Sequence, residues 1–156
     1  QYLQQYSIQS LERDYKHYYF IIRGSKGNYP TLEKLAKRLP IFPDIENERS
    51  MLYIENLCEF LCQVMIRSEG GIFWPQNAEY TRTSDMVRMI GEVNGHKIAV
   101  SRVWNWAVEL AAIIPGKTRG LTNKAFGSLS YELSMSQYDF EYQIVDLKIS
   151  IARTEG

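Results

Sequence analysis

Apolar residues recur along the chain in two forms, short unbroken runs and stripes at helical spacing, and their alternation predicts strands separated by helices. Residues 18 to 22, Tyr-Tyr-Phe-Ile-Ile, form a β-prone run without polar alternation, the pattern of a strand covered on both faces in a parallel sheet. Gly24-Ser25-Lys26-Gly27-Asn28 ends it. After Pro30, Thr31 is placed to cap a short helix in which Leu32, Leu35, Ala36 and Leu39 share a face. Lys34, Lys37 and Arg38 take its wet side, and Pro40 stops it. Met51 to Ile54 reads as a strand, and Leu57, Phe60, Leu61, Val64 and Met65 then follow at i, i+3, i+4, i+7 and i+8, the strongest helical stripe in the chain. Gly70-Gly71 is expected to close that helix.

Ile72-Phe73-Trp74 reads as a second buried strand ending at Pro75. Thr83 or Ser84 caps a helix carrying Met86, Met89, Ile90 and Val93, which Asn94-Gly95 ends. Lys97 to Val100 is a further strand, Val103 to Ile114 a helix ended by Pro115-Gly116, and Val145 to Ala152 the last helix. Trp104 and Trp106, beside Val103 and Val108, read as core residues, with a lid or interface as the alternative. The alternation argues for an α/β fold in one unit spanning residues 1–156.

Composition narrows the picture further. The 156 residues are 45% hydrophobic, and 18 basic side chains balance 18 acidic ones, leaving no broad charge to attract duplex nucleic acid or an anionic membrane. The longest apolar stretch, Val103 to Ile114, is broken by Asn105 and Glu109 and is too short to span a bilayer. Gln1-Tyr2-Leu3-Gln4-Gln5 has no secretory character and no initiator Met, which fits a processed chain or a fragment. Cys58 and Cys62, four apart on one helical face, form neither a CxxC pair nor a zinc knuckle, and a cytoplasmic location is expected.

Most catalytic constellations are missing. The ten glycines nowhere form GxGxxG, GxxxxGK[ST] or GxSxG, and neither His17 nor His96 stands at metal-ligand spacing, so no metal site is expected. Glu55 and Glu59 share a helical face, but a solvated face explains them better than an acid/base pair.

The order of Asn28, then Phe42-Pro43, then Arg49 before Tyr53-Ile54-Glu55-Asn56-Leu57 resembles the C-terminal half of the NAD-dependent epimerase/dehydratases, extended short-chain dehydrogenase/reductases that act on nucleotide sugars. In that family an Asn after the sixth strand precedes a helix, a Phe-Gly or Phe-Pro, and an Arg before a strand of the type R-x-x-x-h-V-x-D-L. Ile72-Phe73-Trp74-Pro75 and Thr83 to Val87 resemble the family's last sheet strand and the helix after it. Gly120 to Gly127 and Tyr131 to Asp146 resemble the tail of one bacterial subgroup. The departures are equally specific. The chain carries no TGxxGxxG, and none of its eleven tyrosines has a Lys four residues later, so the family's catalytic YxxxK is missing. Arg23 runs directly into Gly24 where the family continues as Arg-Pro-Pro towards a Tyr-Gly turn.

The resemblance implies the C-terminal part of a Rossmann-type fold, with the last parallel strands and a small mixed α/β substrate-binding subdomain over about residues 24–156. It implies a nucleotide-sugar-binding portion, a UDP-sugar foremost, of an enzyme whose parent transfers hydride through NAD. NAD is not expected to bind this chain alone, which would be inactive by itself, and the alternative is a non-catalytic binding or structural module. By this resemblance Arg49 grips the substrate diphosphate as a planar fork, Asn28 meets ribose or phosphate, and Phe42 either stacks on a uracil or thymine or belongs to the core. Lys26 and Tyr29 flank the same loop, while Tyr131 and Asn123 line the sugar or cover the pocket. Expected partners are the nucleotide sugar and either a second copy or a Rossmann half, since unpaired strands would leave sheet edges open.

Overall fold

The computed structural model describes residues 19–21, 29–68, 70–106, 108 and 126–156. They form a mixed α/β arrangement with small parallel sheets. In chain order the elements are β1 (Tyr19–Ile21), α1 (Tyr29–Ala36), β2 (Ile41–Pro43), β3 (Met51–Tyr53), α2 (Ile54–Arg67), α3 (Thr83–Val93), β4 (Ala99–Ser101) and α4 (Leu147–Glu155). β1 pairs in parallel with β3, Ile21 opposite Tyr53, and β2 pairs in parallel with β4, Phe42 opposite Val100. Parallel partners need a crossover rather than a hairpin. Here α1 lies between β1 and β3 in the chain, and α2 and α3 lie between β2 and β4.

Local chemistry sets the helix ends. α1 begins at Tyr29-Pro30, two residues before the expected Thr31 cap, because proline tolerates the first turn, where its missing N–H would go unbonded anyway. α2 stops at Ser68, whose φ of 53° is left-handed and whose N–H returns to Met65 and Val64, so the helix closes before Gly70-Gly71 is reached. α4 starts two residues after Val145 because the Asp146 carboxylate accepts from Ile149 N at 2.8 Å as an N-cap.

Two cores result. Ile21, Leu32, Ala36, Phe42, Met86, Val87, Ile90 and Ile151 pack between the strands and α1, α3 and α4. Leu52, Phe60, Phe140 and Tyr142 make a second core, flanked by Phe73 and Tyr138, with Phe60 at the centre of the rings.

Three expectations are corrected. Residues 72–74 are not a strand: Ile72 is exposed, and the backbone of this segment finds tyrosine hydroxyls instead of a ladder, Trp74 N donating to Tyr138 Oη at 2.8 Å and Gln76 N to Tyr142 Oη at 3.1 Å. The α2 stripe is split, with Phe60 buried and Leu61 and Met65 exposed, since the ring cluster claims only one side of the helix. Trp104 and Trp106 are exposed rather than core, and the chain after β4 turns through a 3-10 segment, Arg102–Trp104. Residues 109–114 of the predicted helix lie outside the described residues.

One carboxylate ties three helices together. Glu155 of α4 accepts from Tyr29 Oη of α1 at 2.9 Å and from Asn94 Nδ2 at the end of α3 at 2.8 Å, and pairs with Lys37 Nζ at 3.0 Å. Burial pushes its pKa up, but the donors Asn94, Lys37 and Tyr29 outweigh that and hold it below the ordinary value of 4.5. A carboxyl depressed in the folded state adds stability that is complete above its unfolded pKa and lost as pH falls through the folded value. Glu155→Gln is therefore expected to lower stability at pH 7 by about 2 kcal/mol, mostly through the Tyr29 and Asn94 bonds, because the exposed Lys37 counts for little. The gap between variant and wild type should narrow from pH 5 to pH 3 in thermal melts. Parallel curves would show that the carboxylate charge carries none of the effect.

Candidate functional site

The segment that enters β3, residues 44–50, is held by side chains and isolated bridges. Arg49 exchanges backbone hydrogen bonds with Thr81, its N–H donating at 3.1 Å and its carbonyl accepting at 3.0 Å. On the other side Ser50 N donates to Leu129 O at 3.0 Å, and Leu129 N to Glu48 O at 2.9 Å. Pinned between these two stretches, the Arg49 side chain is 2% exposed, and its Nη2 donates to the carbonyl of Gly127 at 2.7 Å. Two neighbours brace the segment. Asn47 docks on the start of α3, accepting from Thr83 N at 2.9 Å and donating to Thr83 Oγ1 at 2.8 Å. Ser84 Oγ accepts from Ile45 N at 2.7 Å and donates to Pro43 O at 3.0 Å.

Tyr131 joins the same neighbourhood. Its N–H donates to Ser50 Oγ at 2.8 Å, and its ring lies tilted against Trp74 with centroids 5.0 Å apart. The structure thus brings Arg49 and Tyr131 to neighbouring positions and sends the other described candidates elsewhere. Phe42 is 1% exposed and packs in the first core with its ring 5.9 Å from Phe126, which resolves the open choice in favour of the core. Tyr29 is buried, and its hydroxyl is committed to Glu155. Asn28, Lys26 and Asn123, like His17, lie outside the described residues.

A cavity of about 430 Å³ opens at the N-terminal ends of α3 and α4. Arg82, Arg88 and Lys148 on its wall are balanced by Glu79, Asp85 and Asp146, and two of these cations are spoken for, Arg82 by Asp44 and Arg88 by Asp85. Thr81 reaches both this cavity and the Arg49 backbone, but Arg49 itself does not line it.

Burial raises the pKa of Tyr131, and burial followed by hydrogen bonding to a glutamate raises Tyr29 and Tyr53, so these phenols are protonated at neutral pH. Among the described residues no group of three or more His, Cys, Asp or Glu converges for a metal ion. No helix among them is long and apolar enough to cross a membrane.

Sequence reading missed the buried polar residues Asn47, Asn56, Gln76 and Asn77, and it took Thr83 or Ser84 for a cap that falls to Arg82, Thr83 being the first residue inside α3. Only the density of amides around residues 47–56 and 76–77 hinted at them, and isolated amides in short connections usually read as turn formers. No family model matches the chain, and neither curated proteins nor solved structures yielded a similar protein.

Proposed function

We propose that the chain is the nucleotide-sugar-binding portion of an NAD-dependent epimerase/dehydratase, inactive by itself, with Arg49 as the ligand for the substrate diphosphate. The observation that carries this reading is the placement of Arg49, a buried guanidinium two residues before β3, the strand that lies parallel to β1. The element order around it supports the resemblance: β1, then helix α1, then β2 ending at Phe42-Pro43, then Arg49 and β3. At 2% exposure the guanidinium can meet a diphosphate only where the Gly127 stretch gives way, so that an anion replaces the carbonyl that Nη2 now holds. Tyr131, whose N–H donates to Oγ of Ser50 in the next position of the chain, is the candidate for the sugar. Asn28 and Lys26 remain ligand candidates from the resemblance alone, whereas Phe42 and Tyr29 have structural roles.

The dinucleotide of the parent reaction needs a TGxxGxxG cradle at the turn from a strand into a helix, and the sequence carries none. Gly24 and Gly27, between β1 and α1, lie outside the described residues. The cofactor belongs to the other half of the parent, and hydride transfer is not assigned to this chain.

Titration calorimetry with UDP-glucose, dTDP-glucose and GDP-mannose tests the reading, with NAD as a control. One of the sugars should bind saturably, and Arg49→Lys, which keeps the charge but loses the fork, should weaken it about tenfold or more; the buried lysine also gives up the Gly127 bond and lowers the melting temperature, so the titration is run where circular dichroism shows the variant folded. A folded wild type that binds none of the three, or a variant that binds as well, sinks the proposal.

A further inference from the structure

Three sulfurs share one exposed face of α2. Cys58, Cys62 and Met65 stand at i, i+4 and i+7, both thiols are free and exposed, and Met65 is 69% exposed. At about 100° per residue the three positions fall within about 60° of one another around the helix axis. Cysteine and methionine are side chains that cores usually claim, yet neither core takes any of these three. Leu61 and Ile66, also exposed, flank the row on either side. The nearest acids on the helix are committed elsewhere, Glu59 to Gln63 and Glu55 to Tyr53 and Arg153, which leaves sulfur as the donor set of this face.

We infer that this row is a binding site for a soft monovalent metal ion, Cu(I), held by the thiolates of Cys58 and Cys62 with the Met65 thioether as third ligand. Cβ atoms at i and i+4 of a helix stand about 5–6 Å apart. Two sulfurs on one ion, at metal–sulfur distances of about 2.3 Å, lie at most ~4.6 Å apart, so rotation of the two side chains closes them on the ion with the helix unchanged. Helical side chains lean towards the N-terminus over residues i−3 and i−4, which carries Met65 towards Cys62 and Cys62 towards Cys58. Thiolate and thioether are the ligands that select Cu(I). Zinc would want a fourth ligand and takes histidine or carboxylate rather than thioether. Met65 also lies in the last turn of α2, where the helix dipole favours a cation. The step is ligation alone: each thiol releases a proton to solvent, each sulfur gives an electron pair, and copper stays Cu(I).

The test titrates the reduced 156-residue chain with Cu(I), under nitrogen with ascorbate present, against the chromogenic chelator bicinchoninate. One Cu(I) per chain should leave the chelator, with the helical circular dichroism unchanged. Cys58→Ser or Cys62→Ser should weaken binding about 100-fold, and Met65→Leu, which keeps the apolar bulk, about tenfold. All three side chains are exposed, so these variants keep the fold, which circular dichroism checks. A register shift controls for binding by any two thiols. Cys62→Ser with Gln63→Cys preserves the thiol count but turns the second sulfur about 140° away from Cys58, and it should bind no better than Cys62→Ser alone. A chain that takes no Cu(I) from the chelator overturns the inference. So does a register-shifted variant as tight as wild type, a Met65→Leu variant that binds unchanged, or half an ion per chain, which would put the metal between two copies.

Discussion

Asn56→Leu should destabilise the chain by about 4 kcal/mol, although leucine branches at Cγ as asparagine does and favours both helix and core. Asn56 sits fully buried in the first turn of α2. Its Nδ2 donates to Asn77 Oδ1 at 3.0 Å and to Val145 O at 2.9 Å, and its Oδ1 accepts from Val145 N at 2.9 Å. Asn77 Oδ1 accepts in turn from Tyr53 N at 3.1 Å, and Asn77 N donates to Met51 O at 2.8 Å. Two amides thereby close β3 and α2 onto the segment that leads into α4, a junction that no ladder provides. Leucine would strand the N–H and C=O of Val145 away from water, at about 1–3 kcal/mol each, and remove one donor from Asn77. Urea denaturation should show a lower midpoint with an unchanged slope, since the surface exposed on unfolding stays the same. A loss below about 1 kcal/mol would mean that the cluster relaxes to other partners.

The sequence made visible what depends on neighbours in the chain. α3 was legible from its apolar stripe and its stop at Asn94-Gly95, which lie within a few residues, but the expected cap was not: Thr83 and Ser84 sit inside the helix after Arg82, and Thr83 N finds Asn47, 36 residues away. β1 and β3 were legible as apolar runs, and their parallel pairing follows from the alternation of strand and helix. Ile72-Phe73-Trp74 misled because an extended apolar run looks the same whether its N–H groups meet a strand or the hydroxyls of Tyr138 and Tyr142, more than sixty residues away. The α2 stripe misled differently. Its spacing identified the helix, but two apolar stripes run along it, and only the ring cluster around Phe60 decides which is buried. In the candidate site, only the family resemblance singled out Arg49, and its burial depends on Thr81, Gly127 and Leu129, which contribute backbone rather than any side chain that a pattern could flag.

Phe42 carries the second large effect, and it separates a packing role from a binding one. The ring lies in β2 at 1% exposure, against Phe126 and the first core. Phe42→Ala should therefore cost about 4 kcal/mol, the transfer of the lost ring plus the cavity it leaves, and lower the melting temperature by about 10 °C. Phe42→Leu, which refills most of that volume, should cost only 1–2 kcal/mol. A ring stacked on a nucleobase behaves in the opposite sense: alanine there leaves the melting temperature nearly unchanged, and even leucine weakens the nucleotide, because an aliphatic side chain cannot replace a π-face. Melting curves and nucleotide-sugar titrations of Phe42→Leu beside Arg49→Lys thus form a matched pair. Loss of affinity in the lysine variant with affinity retained in the leucine variant would place recognition at the guanidinium and packing at the ring. Loss in Phe42→Leu at an unchanged melting temperature would require β2 to open towards the ligand, and with it the first core.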